Sequence, residues 1–204
     1  MERDWILLAA VFGVTGVLTF SYLWSLAVVA DGNWILGEET LSELGGDRAG
    51  RAAFNLGAMA TGVLAFLFST GFMAAQPSKW SYRAGPAIVL VGSVALFAVG
   101  LFPITTGSYH TVASYSFFGV MLLGLLALVG PLWKNPYFGK VGSLTTIVGV
   151  IIPLSFLVAT PLPLAEAVAV ICLMAWMAVM SIQMALMHRK EVRTLDLTSS
   201  HNGS

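Results

Sequence analysis

The stretch Ala84–Pro103, AGPAIVLVGSVALFAVGLFP, contains twenty residues and no charged side chain. A helix of about 20 apolar residues is long enough to cross the roughly 30 Å of hydrocarbon in a bilayer. The run is unbroken, whereas a strand of a membrane barrel alternates polar and apolar residues over about ten positions. This stretch therefore predicts a transmembrane α-helix.

Five further stretches have the same character. They are Trp5–Val29, Arg51–Ala75, Thr111–Leu132, Val141–Thr160 and Leu164–Met187. The composition of the 204-residue chain agrees, since 57% of its residues are hydrophobic and only 10% are charged, against about 25% charged in a soluble domain. We predict an all-α fold, an integral membrane bundle of six transmembrane helices. Residues 1–188 form this single domain, and residues 189–204 form a polar tail that we expect to be disordered.

The basic residues are distributed unevenly between the two sides of this bundle. One side carries Arg3, Lys79, Arg83, Lys134, Lys140, Arg189, Lys190 and Arg193. The other side carries only Arg48 and Arg51. The positive-inside rule then predicts a multi-pass protein of the cell membrane with both termini in the cytoplasm. Ten basic residues balance ten acidic ones, so no basic field predicts a nucleic-acid partner.

The first outer loop, Ala30–Gly50, is the only long connection between predicted spans. Several apolar side chains in it predict a short helix that lies on the membrane surface. These are Trp34, Ile35, Leu36, Leu41 and Leu44.

The centres of the six spans contain no Asp, Glu, Lys or Arg. Proton and ion relays usually need such groups in the middle of the membrane, so their absence argues against coupled transport and ion conduction. Pro153, in the fifth span, has two interpretations. Either it breaks the helix, so that the freed backbone carbonyls bind a cation, or it is an ordinary proline kink packed against neighbouring helices.

Three polar side chains recur at helical spacing near the start of the second span: Arg48, Arg51 and Asn55. They are predicted to share one helix face, with Arg48 and Arg51 holding a phosphate or carboxylate and Asn55 contacting a headgroup. The alternative is an arginine that reaches to the interface and an asparagine that packs between helices.

His110 follows a turn in which Pro103 and Gly107 should end the third span. Ser108 is the predicted N-cap, which places His110 in the first turn of the fourth helix. The positive end of that helix favours neutral imidazole. Ser114 lies four residues on, on the same face, and both are predicted to bind ligand. The alternative is that His110 only pins this turn.

A single histidine is weak evidence for a zinc site, because a catalytic zinc needs about three protein ligands. Glu38, Glu43 or Glu166 would have to complete such a site, and no HExxH spacing supports it. We predict no metal and no cofactor. Ser42, Glu43 and His110 are candidates for a nucleophile, a carboxylate and a base, provided that the fold brings them within hydrogen-bond distance.

Four short pieces occur in order along the chain: Ser42-Glu43-Leu44-Gly45 in the first outer loop, Phe54-Asn55 in the second span, Phe102-Pro103 at the end of the third, and His110 at the start of the fourth. With these pieces the chain resembles the prokaryotic six-helix membrane family catalogued as domain of unknown function 998, over about residues 5 to 187. The family pattern places an asparagine a few residues before the serine, whereas Asn33 lies nine residues ahead of Ser42. The resemblance implies a six-helix bundle with polar positions gathered on one membrane face. It implies no particular reaction.

Three functions follow from these observations. The first is binding or handling of a lipid or another amphipathic molecule through the polar cluster at the outer face. The second is a lipid-modifying membrane enzyme, a hydrolase or transferase, that uses His110 with outer-face carboxylates. The third is a small transporter or a subunit of a membrane complex, with a membrane protein or a second copy of the chain as partner.

Overall fold

The structure is a computed structural model that describes residues 2–202, with side chains described for residues 4–190, 192 and 193. It contains six long helices: α1 (Glu2–Asp31), α2 (Arg51–Ala74), α3 (Trp80–Leu101), α4 (Ser108–Lys134), α5 (Gly139–Ala159) and α6 (Leu162–Asn202). Two short 3-10 helices, Leu41–Gly45 and Ile104–Thr106, lie in connections. Within the described residues there is no strand, and all six long helices are long and apolar enough to cross a membrane. The predicted all-α fold with six membrane-spanning helices is confirmed.

Several helix ends differ from those predicted. Helix α3 begins at Trp80 rather than Ala84 and ends at Leu101, before Pro103, which disfavours a helical conformation at the residue preceding it. Helix α6 continues to Asn202, beyond the end predicted at Met187 and through residues 189–202 of the polar tail. Neither Gly nor Pro interrupts this segment, and a hydropathy pattern detects only the part of a helix that is apolar. Gly203 and Ser204 lie outside the described residues.

The helices form a closed ring in which each packs against the next in sequence and α6 packs against α1. The connections α1–α2, α3–α4 and α5–α6 therefore lie at one end of the bundle, which we call the loop end. The remaining connections, the start of α1 and the end of α6 lie at the opposite end, the terminal end.

A cluster of aromatic side chains packs towards the terminal end. Phe68, Phe72, Phe138 and Trp176 are fully buried and contact one another edge-on or stacked. The Trp176 indole donates a hydrogen bond of 2.9 Å to the Thr146 hydroxyl, which satisfies its polar group inside an apolar core.

Helix α5 packs closely over only half of its length. Its buried residues all lie between Gly142 and Val150, whereas Leu157 and Val158 are 56% and 89% exposed. The helix continues through Pro153 without a break, which favours the packed proline over an opened cation site. The result is a space between α4, α5 and α6 near the loop end.

The first loop folds onto the bundle. Trp34, Leu41 and Leu44 are buried in an apolar cluster with Phe54, and the Trp34 indole donates to the Thr40 carbonyl at 2.9 Å. Ile35 and Leu36 are exposed. The expectation of a helix resting on the membrane surface is therefore wrong: the loop forms only the 3-10 helix Leu41–Gly45, because its largest side chains are buried between helices.

Candidate functional site

A cavity of about 470 Å³ lies between α4, α5 and α6 near the loop end. Its deeper walls are apolar and its upper end is polar. The apolar lining includes Leu122, Leu125, Val150, Leu154 and Leu173, and the polar lining includes Thr40, Ser42, His110, Ser114 and Glu166. Tyr115 and Leu157 line it as well and are also exposed on the bundle surface, so the cavity opens sideways.

His110 is held in place by the end of the preceding helix. The chain leaves α3 at Phe102 and reverses at Gly107, whose φ of 64° is favourable for glycine. Gly107 is the N-cap of α4 and Ser108 its first residue, a shift of one residue from the prediction. His110 is only 6% exposed, and its Nδ1 lies 2.7 Å from the Phe102 carbonyl oxygen. A carbonyl only accepts hydrogen bonds, so Nδ1 carries the proton.

Ser114 contacts the other nitrogen of the same ring. In a neutral ring with its proton on Nδ1, Nε2 of His110 is an acceptor, and the Ser114 hydroxyl lies 3.2 Å from it. The predicted shared face of His110 and Ser114 is present in the structure, and both residues line the cavity. The serine hydroxyl, the imidazole and the Phe102 carbonyl form one continuous hydrogen-bonded chain.

Ser42 and Glu166 form the second polar pair at the upper end of the cavity. The Ser42 hydroxyl donates to Glu166 Oε1 at 3.0 Å, and the backbone amides of Leu41 and Ser42 also hydrogen-bond to this carboxylate. Glu166 thus fastens the first loop to α6. From the sequence, Glu166 was a candidate only for a metal site. The sequence does contain one sign of a special role, because Glu166 is the only acidic residue of the predicted span Leu164–Met187.

The two arginines lie outside the cavity. Arg48 is paired with Glu39 and, at 3.1 Å, with Asp31. The hydrogen bond to Glu39 is the main cause that raises the pKa of the Arg48 guanidinium. Arg51 pairs with Asp47 at 3.1 Å on the exposed surface. Helix α2 begins only at Arg51, so Arg48 does not share its face.

Asn55 also has a partner away from the cavity. Its side-chain amide donates to the Gly45 carbonyl at 3.0 Å, and this contact joins the end of the 3-10 helix to α2. Of the five residues predicted to bind ligand, the structure brings together only His110 and Ser114. Arg48, Arg51 and Asn55 line a different part of the loop end.

The three catalytic candidates do not meet. Glu43 Oε2 accepts a hydrogen bond from the Thr40 backbone amide at 2.5 Å, Ser42 is bonded to Glu166, and His110 is bonded to Ser114. A Ser42–Glu43–His110 triad is therefore absent from the structure. Over the described residues, no group of three or more His, Cys, Asp or Glu side chains is arranged to hold a metal ion.

Six apolar helices arranged in a ring, with a side-opening cavity at one end, define a multi-pass helical membrane protein. Residues 5–183 match the profile of the family described as Protein of unknown function (DUF998). This match covers most of the 204 residues, and the chain belongs to that family. The resemblance inferred from the short sequence pieces is confirmed. No curated protein and no solved structure matches the chain.

The short sequence segments on which the family resemblance rests contact one another in pairs. Asn55 of Phe54-Asn55 bonds to Gly45 of the first-loop piece, and His110 bonds to the carbonyl of Phe102. A Cβ atom at Gly45 would lie 2.4 Å from Asn55 Oδ1 and 2.9 Å from Phe54 Cδ1, which leaves room only for glycine. Each pair fixes one connection at the loop end.

Proposed function

We propose that the protein binds one amphipathic molecule with an uncharged, hydrogen-bonding headgroup in the cavity between α4, α5 and α6. The observation that carries this proposal is the polarity of the cavity lining, which is polar at the loop end and apolar below it. A volume of about 470 Å³ is within the range of about 300–1,000 Å³ that is usual for small-molecule sites. The headgroup lies among Ser42, His110, Ser114 and Glu166, and the apolar chain lies along α5.

The charges near the cavity favour one class of headgroup. Among the described residues that line it, Glu166 is the only one with a formal charge. Arg48 and Arg51 are both engaged with carboxylates elsewhere. A phosphate headgroup would therefore be buried next to a carboxylate without a cation, which is strongly unfavourable.

A hydroxyl headgroup fits the same lining. It can donate to the Glu166 carboxylate or to a serine hydroxyl oxygen, since both accept hydrogen bonds. The proposal thus includes His110 and Ser114 and omits Arg48, Arg51 and Asn55. Monoacylglycerols and diacylglycerols have this chemistry: hydroxyl groups, ester carbonyls and acyl chains. With the predicted orientation, the molecule enters sideways from the outer leaflet.

Two glycines of α4 provide a matched test. A Cβ atom at Gly119 or at Gly130 would meet no atom within 4 Å, but only Gly119 lines the cavity. Gly119→Leu should fill the cavity without disturbing the helix, and Gly130→Leu is the control. Native mass spectrometry of the protein released from lipid nanodiscs measures the bound lipid, with ether-linked analogues of diacylglycerol and phosphatidic acid of the same chains present equally.

We expect the wild type and Gly130→Leu to retain diacylglycerol in preference to phosphatidic acid. Gly119→Leu should retain at least about tenfold less, which corresponds to about 1.4 kcal/mol of binding free energy. Equal retention by the two leucine variants would contradict binding in this cavity. A preference for phosphatidic acid would contradict the uncharged headgroup.

A further inference from the structure

We propose that Ser114 and His110 form a nucleophile–base pair that cleaves an ester bond of the molecule in the cavity. This inference rests on the proposed function for its substrate, an uncharged acyl ester. It assigns the chemistry to Ser114, which lies on α4 within the membrane-spanning segment, and not to Ser42 of the first loop.

The first support is the order of the hydrogen bonds. The Phe102 carbonyl accepts from Nδ1 of His110 at 2.7 Å, and Nε2 faces the Ser114 hydroxyl at 3.2 Å. A nucleophile next to a base, with the base oriented by a third group, is the arrangement that activates a serine. Here a backbone carbonyl takes the orienting position, which fixes the tautomer in which Nε2 is free to accept the serine proton.

The second support is that Ser114 differs from several other hydroxyls of the long helices in its hydrogen-bond partner. Serine and threonine side chains inside helices often bond to the carbonyl one turn earlier. Ser69, Thr146, Ser155 and Ser181 all do so here, with distances of 2.7–2.8 Å. Ser114 is instead hydrogen-bonded to the imidazole one turn earlier, so its proton is directed at a base.

The third support is access to the proposed substrate. Ser114 and His110 both line the cavity, and apolar residues of α4, α5 and α6 continue its wall below them. If His110 only pinned the α3–α4 turn, its bond to Phe102 would suffice. That role requires neither a hydroxyl on Nε2 nor contact of this hydroxyl with a cavity.

The reaction balances with water as the only co-reactant. Ser114 Oγ forms a bond to the ester carbonyl carbon while its proton moves to Nε2 of His110. The bond from this carbon to the alcohol oxygen breaks, and His110 returns the proton to the alcohol, which leaves an acyl group on Ser114. Water then attacks the acyl carbon, with His110 again as base, and releases the carboxylic acid and the free serine.

A fluorophosphonate probe tests this proposal on the full-length protein in nanodiscs. Such probes phosphonylate activated serines, and intact mass measurement counts the adducts. We expect one adduct in the wild type and none in Ser114→Ala. Ser116→Ala is the matched control, because Ser116 is an exposed serine of the same helix that does not line the cavity, and it should be labelled like the wild type. His110→Gln should be labelled at least about 100-fold more slowly, as loss of a general base predicts.

Unlabelled samples of the same variants are analysed for the bound ether-linked analogue of diacylglycerol, which has no ester to cleave, so that two failures can be told apart. Retained lipid without an adduct would overturn the nucleophile–base pair and leave the binding proposal intact. An adduct at Ser114 without retained lipid would overturn the binding proposal alone. Labelling of Ser114→Ala at the wild-type rate would place the reactive group elsewhere and contradict the inference.

Discussion

At the scale of single residues, Gly45 and Asn55 show how the first loop is fixed to the bundle. The Asn55 side-chain amide donates to the Gly45 carbonyl at 3.0 Å, and a buried carbonyl without a partner is costly. Asn55→Ala should lower the free energy of unfolding by about 1–3 kcal/mol. Denaturant titration in mixed micelles measures this value. An unchanged midpoint would show that the loop does not depend on this bond.

A second prediction concerns Gly45 at the same contact. Gly45→Ala places a methyl group 2.4 Å from Asn55 Oδ1 and 2.9 Å from Phe54 Cδ1, and overpacking of this kind costs about 1–3 kcal/mol. Because the first clash is with Asn55 itself, the double variant Gly45→Ala, Asn55→Ala should be more stable than the sum of the two single losses indicates. Strict additivity in the titration would contradict a direct contact.

The residue scale also shows which parts of the site a sequence can predict. His110 and Ser114 are four positions apart, so helical periodicity was enough to place them on one face. Ser42 and Glu166 are 124 positions apart, and nothing local indicates that the ring of helices joins them. Arg48 was assigned to the wrong face because it precedes α2, and its carboxylate partners come from the end of α1 and the first loop.

At the scale of elements, the contact between α2 and α3 depends on Gly62. A Cβ atom there would lie 2.6 Å from the Phe97 backbone nitrogen and 2.8 Å from its Cα, so the two helices would have to separate. Gly62→Ala should lower the free energy of unfolding by about 1–3 kcal/mol. Gly119→Ala, whose new Cβ meets nothing within 4 Å, is the control and should gain up to about 1 kcal/mol. Equal titration midpoints for the two variants would show that the helices do not approach this closely.

The first loop is the second element whose position the site requires. Glu166 accepts hydrogen bonds from the Ser42 hydroxyl and from two backbone amides, and bonds to a charged group contribute about 1.5–3 kcal/mol each. Glu166→Gln should raise hydrogen exchange of the Leu41–Gly45 amides by about tenfold or more, because the segment opens more often. Glu38→Gln, at an exposed acidic residue of the same loop, should leave exchange unchanged. If both variants exchange alike, Glu166 does not hold the loop.

Helix boundaries were predicted well only where the bilayer decides them. The apolar runs predicted all six spans, since a chain in hydrocarbon must close its backbone hydrogen bonds within helices. Outside the hydrocarbon this constraint ends, and α3 and α6 extend over polar residues such as those at 80–83 and 189–202. Near the loop end α5 packs loosely against its neighbours, and this leaves the cavity. Such packing depends on three helices together, and the periodicity of a single segment does not predict it.

At the scale of the whole molecule, the orientation of the bundle decides which leaflet supplies the ligand. Eight of ten basic residues lie on the side of the termini, and the positive-inside rule places that side in the cytoplasm. Single cysteines test this prediction in a Cys172→Ala background, because Cys172 is the only native cysteine. Asn33→Cys lies in the first loop at the loop end, and Ser78→Cys lies between α2 and α3 at the terminal end, both at exposed positions.

We expect a membrane-impermeant maleimide added to intact cells to label Asn33→Cys and to leave Ser78→Cys unlabelled until the membrane is permeabilised. The reverse pattern would place the loop end in the cytoplasm. The cavity would then open to the inner leaflet, because it lies at the loop end whichever way the bundle is inserted. The labelling pattern thus determines whether the Ser114–His110 pair meets lipids of the outer or of the inner leaflet, and the lipid composition used in the binding and labelling experiments should follow from it.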